Sequence, residues 1–292
     1  MYAQLVSIIA PVFVCAAIGF LWVRSGRPFE REFVTTLAIN IATPALIFAT
    51  LAKLQITPSA FIQMAGITFA SLAGIAVICV AVLALLRWPA RDYLTALLYG
   101  NNGNVGLPLC LFAFGDEGLS LGIAVFTVTT IAMFVSAPAL AEGRLDWRLA
   151  ARSPSYYAIA AGLVCMFTQT SPPEWLANTV NLLGGLAIPI MLLTLGASLA
   201  EMTVSSLQRS IVLAVMRLGI GLAVGLALAA AFGLTGTARG VLIIQSAMPS
   251  AVFVYLFAAR HDRVPEEVAS VVLVSTLLSF ATLPLLLILA LG

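Results

Sequence analysis

Charge is what this sequence lacks. Of 292 residues only 9% are charged, 14 Lys+Arg against 12 Asp+Glu, while 62% are hydrophobic and the mean hydropathy is +1.10. A soluble domain carries roughly 25% charged residues. So few ionic groups cannot coat a water-facing surface of this size, so most of the chain faces lipid or other apolar side chains. A net charge of +2, with no basic cluster among aromatics, leaves no phosphate footprint and excludes a nucleic-acid partner. Histidine is nearly absent, His261 being the single one. The cysteines Cys15, Cys79, Cys110 and Cys165 lie apart in apolar stretches without a CxxC pair. Neither a metal site, a disulfide framework nor a cofactor is expected, and the cysteines read as small buried apolar residues. The first stretch has no basic leader and no small-residue cleavage site, which argues against a cleaved signal peptide.

Long apolar runs are what is present. A bilayer core takes about 20 apolar residues per helix. Ten such spans are predicted: Gln4–Val23, Phe33–Ala52, Pro58–Leu86, Tyr93–Phe114, Leu119–Ala141, Pro154–Thr170, Trp175–Ala200, Gln208–Phe232, Ala238–Ala259 and Pro265–Leu291. The chain therefore reads as an all-α integral membrane protein whose main partner is the lipid bilayer. Basic residues are retained on the cytoplasmic side during insertion. Arg24, Arg27, Arg31, Arg87, Arg91, Arg144, Arg148, Arg152, Arg209, Arg260 and Arg263 all fall in loops on one side. Lys53 and Arg239 fall on the other, and Arg217 lies inside helix 8. Both termini are thus expected outside the cytoplasm, in a multi-pass protein of the inner or plasma membrane.

The two halves repeat. Shifting the second half back by 145 residues sets Leu111-Phe112-Ala113 on Leu256-Phe257-Ala258, Pro44 on Pro189 and Gly74 on Gly219. The halves are 1–145 and 150–292, with five helices each. An odd number of helices makes the copies enter the membrane from opposite sides, an inverted repeat of the kind many secondary transporters use.

Polar groups at membrane depth are costly and concentrate where function needs them. Helix 4 carries Gly100-Asn101-Asn102-Gly103-Asn104-Val105-Gly106-Leu107-Pro108. Glycine and proline each weaken a helix interior, while asparagine amides cap broken ends or bind ligands. This predicts an unwound helix, tolerable in a bilayer only where it lines a cavity or is buried in protein. Helix 9 carries Gln245-Ser246-Ala247-Met248-Pro249-Ser250, which the 145-residue shift sets against the break, Gly100 on Gln245 and Asn101 on Ser246. Paired interruptions point to a transport site. The expected binding residues are Asn101, Asn102, Asn104, Gln245, Ser246, Pro249 and Ser250. Asn40, Thr43, Pro44, Pro189 and Thr194 on helices 2 and 7 fit plain proline kinks. Arg217 either snorkels to the interface or faces the polar core as an anion partner. Thr127, Thr129, Thr130, Ser275 and Thr276 fit hydroxyls bonded to their own backbone. Gly221 and Gly225 favour close helix packing.

The runs NNGNVGLPL in helix 4 and QSAMPSAVFVYLFAARHDRVPEEVASVVLVST in helix 9 and the start of helix 10 resemble the auxin efflux carrier family, plant PIN-type carriers and bacterial permeases included. The resemblance covers essentially the whole chain. It implies a fold like that of bile acid/sodium symporters, with broken helices 4 and 9 crossing. Helices 1, 2, 6 and 7 would form a scaffold, and helices 3–5 and 8–10 a transport domain moving like an elevator. The chain departs from the plant pattern in having Gly100 where a proline precedes Asn101, and in a short loop 5–6. Auxin specificity is therefore not carried over. The implied role is an efflux carrier or permease for a small organic anion such as a carboxylate. A sodium-coupled symporter of the bile acid type, or a channel, is the alternative. No Asp, Glu or His at membrane depth offers a proton relay, which favours facilitated diffusion or a sodium site built from Asn, Gln, Ser and carbonyl oxygens, while a homodimer and sodium or proton coupling stay open. An intramembrane enzyme is not expected, because no Ser/His pair, paired aspartates or HExxH motif sits at membrane depth.

Overall fold

Long apolar runs can satisfy their backbone in lipid only as helices or closed barrels. The computed structural model describes residues 2–53, 56–142, 153–202 and 204–292, and among these every element is a helix, with no strand. Arg144, Arg148 and Arg152, and the expected boundary between the halves at 145–150, lie outside the described residues.

The helices in chain order are α1 (Tyr2–Arg24), α2 (Arg31–Leu37), α3 (Thr43–Ala52), α4 (Pro58–Leu86), α5 (Ala90–Leu98), α6 (Leu107–Glu142), α7 (Pro154–Thr168), α8 (Glu174–Gly184), α9 (Ala187–Glu201), α10 (Leu207–Ala231), α11 (Gly236–Ser246), α12 (Val252–Arg260) and α13 (Pro265–Leu291). Short π-helical turns, Ala38–Ala42 and Asn102–Gly106, lead into α3 and α6. Seven helices among the described residues, counting joined pieces together, are long and apolar enough to span a membrane. Of the ten expected spans, helix 6 falls short as the 15 residues of α7, and helices 4 and 9 do not count as whole spans because each is cut into short pieces, such as the nine residues of α5 and of α12. The far part of helix 4 and all of helix 5 run on as one helix, bent at Gly115. Gly115 has φ 65° and ψ −154°, a conformation that side chains with a Cβ rarely adopt.

Helix starts follow from sequence. Pro58, Pro154 and Pro265 open α4, α7 and α13, where a missing N–H costs nothing. Thr57 caps α4 by accepting from the Ala60 N–H at 3.2 Å. Packing sorts the helices into two groups. In one, α1 lies along α9, and α3 lies against α7 and α8. The first of these contacts needs small residues, since a Cβ at Gly196 would collide with the Ala16 carbonyl. In the other, α10 packs on α11 and α13, and α4 on α5 and α6. The break in helix 4 faces the first group, its π-helical turn lying against α9.

Candidate functional site at the helix breaks

The chain leaves α5 at Leu98 in extended conformation, Tyr99 having φ −99° and ψ 110°. It leaves α11 at Ser246 and re-enters a helix only at Val252. The two open stretches lie antiparallel. Gly100 bridges Ser250, the Asn101 N–H donates to the Pro249 carbonyl at 2.6 Å, and the Ala251 N–H donates to the Tyr99 carbonyl at 3.0 Å. These bonds satisfy backbone groups that a break in lipid would orphan. In space Gly100 thus meets Ser250, five residues past Gln245, the residue that the 145-residue shift sets on it in sequence.

Asn101 caps the π-helical turn before α6, its Oδ1 accepting from the Asn104 N–H at 3.3 Å. Its Nδ2 is buried without a hydrogen-bond partner. Asn102 ties the breaks together, its Nδ2 donating to the Gln245 backbone carbonyl at 2.9 Å and to Gln245 Oε1 at 2.7 Å. Gln245, 1% exposed, fills the space over Gly106 and Gly122 and donates from Nε2 to Cys110 Sγ at 3.6 Å. Ser246 shares a 3.3 Å hydrogen bond with Ser71. Ser250 donates to the Ala96 carbonyl at 2.7 Å, and its N–H donates to Ser275 Oγ at 3.1 Å.

A cavity of about 430 Å³ opens beside the crossing. Gly100, Asn101, Asn102, Gly103 and Asn104 line it from one break, and Ala251, Val252 and Phe253 from the other. Gln245, Ser246, Pro249 and Ser250 do not line it; they stand in the crossing behind. Thr43, Thr129, Thr130, Thr194 and Ser198 contribute hydroxyls from α3, α6 and α9, and Phe126, Met133, Phe134, Met191 and Tyr255 contribute apolar wall. The Thr194 hydroxyl is buried and without a partner. Thr127 and Thr276 bond their own helices, as their spacing suggests. The mouth carries Arg31, paired with Glu201 at 2.5 Å, and Glu266. Arg31 belongs to the arginine-rich loop side. Among the described residues no group of three or more His, Cys, Asp or Glu could hold a metal ion. Arg217 does not snorkel. It is 2% exposed, behind Gly100 and outside the cavity wall.

The first residues of each reopened helix, Asn102–Asn104 and Val252–Phe253, thus meet at one hollow. Apolar spanning helices with such a site describe a multi-pass membrane transporter. The family described as "Membrane transport protein" matches residues 139–287, and the chain belongs to it, the family of the auxin efflux carriers. It is 28% identical to an "Uncharacterized transporter" of Methanothermobacter thermautotrophicus, over 94% of each chain. It is 25% identical to a Rhizobium meliloti protein named "Putative malonate transporter", over 96% of this chain and 94% of that one. It is 26% identical to "Auxin efflux carrier component 1" of Arabidopsis thaliana, over 46% of this chain and 22% of that one.

Proposed function

We propose that this protein is a secondary carrier for a small organic anion, moved by alternating access of the elevator kind. The observation that carries the reading is that the N-terminal ends of two broken helices line one cavity, together with Asn101, whose Nδ2 lacks a partner. The first N–H groups of a helix have no partner within it and carry partial positive charge, which suits a carboxylate. Asn101, Asn102 and Asn104 take the anion's oxygens, the hydroxyls of Thr129, Thr130 and Thr194 complete the polar side, and the aromatic wall takes its apolar body. Gln245, Ser246, Pro249 and Ser250 act by holding the crossing in shape.

In this reading the chain is a ten-helix inverted repeat, five helices in each half. The two bonds at the crossing, Asn101 to Pro249 and Ala251 to Tyr99, exchange when one half is laid on the other about Gly100 and Ser250. The packing groups fit a scaffold of helices 1, 2, 6 and 7 and a transport unit of helices 3–5 and 8–10. If the arginine-rich loops face the cytoplasm, both termini are outside and the cavity opens inward.

The relative named for malonate makes that dianion the first probe. Purified protein in proteoliposomes, loaded with unlabelled carboxylates one at a time, should accumulate the labelled carboxylate it carries by saturable counterflow. Asn104→Ala should abolish the uptake. Single-channel currents, or uptake unchanged in Asn101→Ala plus Asn104→Ala, would reject the reading.

A further inference from the structure

The same breaks that turn two helix N-termini toward the cavity turn two helix C-termini away from it. The last carbonyls of a helix have no partner within it and carry partial negative charge. A cation is favoured at such a place inside a membrane, and Arg217 of α10 stands there. A Cβ at Gly100, two residues past the end of α5, would collide with Arg217 Nη2. A Cβ at Gly221 would meet both the carbonyl of Ser246, the last residue of α11, and Arg217 Nη1, the latter at 3.0 Å. The guanidinium therefore lies between the two C-terminal ends. Gly221 and Gly225, one turn apart, let Ser246 come close enough to share the space.

Nothing else neutralises it. Among the described residues Arg217 has no ion-pair partner, its Nε and Nη1 have no hydrogen-bond partner, and the titratable side chain that acts on it is the thiol of Cys79. An unpaired charge at this depth is expensive and is kept for a reason. We propose that Arg217 is a built-in counter-charge, holding the place behind the crossing where a bound sodium ion would otherwise be required. The carrier then presents its cavity to an anion without first loading a metal cation. The inference deepens the transport reading given above, but its readout is the melting of protein without substrate, so either can fail alone.

The test is the thermal unfolding of full-length purified protein in choline chloride, in sodium chloride and with added methylguanidinium chloride. The wild type should melt at the same temperature in choline and in sodium. Arg217→Ala should melt lower and regain about 5 °C with sodium or methylguanidinium at about 100-fold above its Kd. Arg217→Lys keeps the charge and should stay near the wild type, indifferent to sodium. A wild type stabilised by sodium, an Arg217→Ala rescued by neither cation, or an Arg217→Met that melts at or above the wild type would overturn the proposal. Where Arg217→Ala does not fold, the wild type and Arg217→Lys decide it, since a lysine variant that fails equally shows that charge is irrelevant.

Discussion

Replacing Asn102 with alanine separates the scaffolding of the crossing from its ligand contacts. Asn102 gives both hydrogens of its amide to Gln245, at 2.9 and 2.7 Å, and both residues are buried. Hydrogen bonds between membrane helices are worth about 0.6 kcal/mol each on average. Gln245 Oε1 would also be left buried and unpaired, which costs about 1–3 kcal/mol. The sum is a loss of about 2–4 kcal/mol, or a melting temperature lower by about 3–7 °C for a chain of this size. Asn104 is the control. It lines the cavity and its side chain makes no hydrogen bond among the described residues, so Asn104→Ala should shift stability by less than about 0.5 kcal/mol. Far-ultraviolet circular dichroism of purified variants measures both. In a double-mutant cycle, Asn102→Ala with Gln245→Ala should show coupling of about 1 kcal/mol or more. An Asn102→Ala protein as stable as Asn104→Ala, or additive single effects, would refute the idea that this pair pins the breaks.

Gly106→Ala puts a methyl group onto the Gln245 side chain, with Cδ at 2.8 Å, and should destabilise by about 1–3 kcal/mol. Gln245→Ala in the same chain should recover part of that loss, as thermal melts would show. Tyr99→Phe removes a hydroxyl that bonds the Ala132 carbonyl at 3.1 Å and Ser136 Oγ, outside the cavity. It should lower stability by about 1 kcal/mol while counterflow uptake persists.

The break in helix 4 was readable because three asparagines, three glycines and Pro108 cannot share an ordinary apolar helix, and Asn101, Asn102 and Asn104 do line the hollow. The break in helix 9 was readable too, but the roles of its residues were not. Whether Gln245 faces a cavity or a neighbouring glycine depends on Gly106 and Gly122 coming within reach, which is decided by packing. Which residues meet at the crossing was not legible, because the 145-residue shift aligns the halves by side-chain likeness, whereas the contact between them is made by backbone hydrogen bonds that no side chain encodes. Thr129, Thr130 and Thr194 carried a signal, as hydroxyls at membrane depth. Their neighbours Thr127 and Thr276 carry the same signal and spend it on their own helices. Arg217 stood out as a charge within a span, and only its two glycine contacts show which way it points.

The claim that the opened helix ends grip the anion is tested most directly by cysteine accessibility in a background freed of the native cysteines. Val252→Cys, on the cavity wall, and Gln245→Cys, outside it, would be treated in liposomes with an anionic methanethiosulfonate, with and without the carboxylate that wild-type protein takes up. The account predicts that Val252→Cys is labelled and that the carboxylate protects it, while Gln245→Cys stays unlabelled. Labelling of Val252→Cys at the same rate with saturating carboxylate, or no labelling at all, would contradict it.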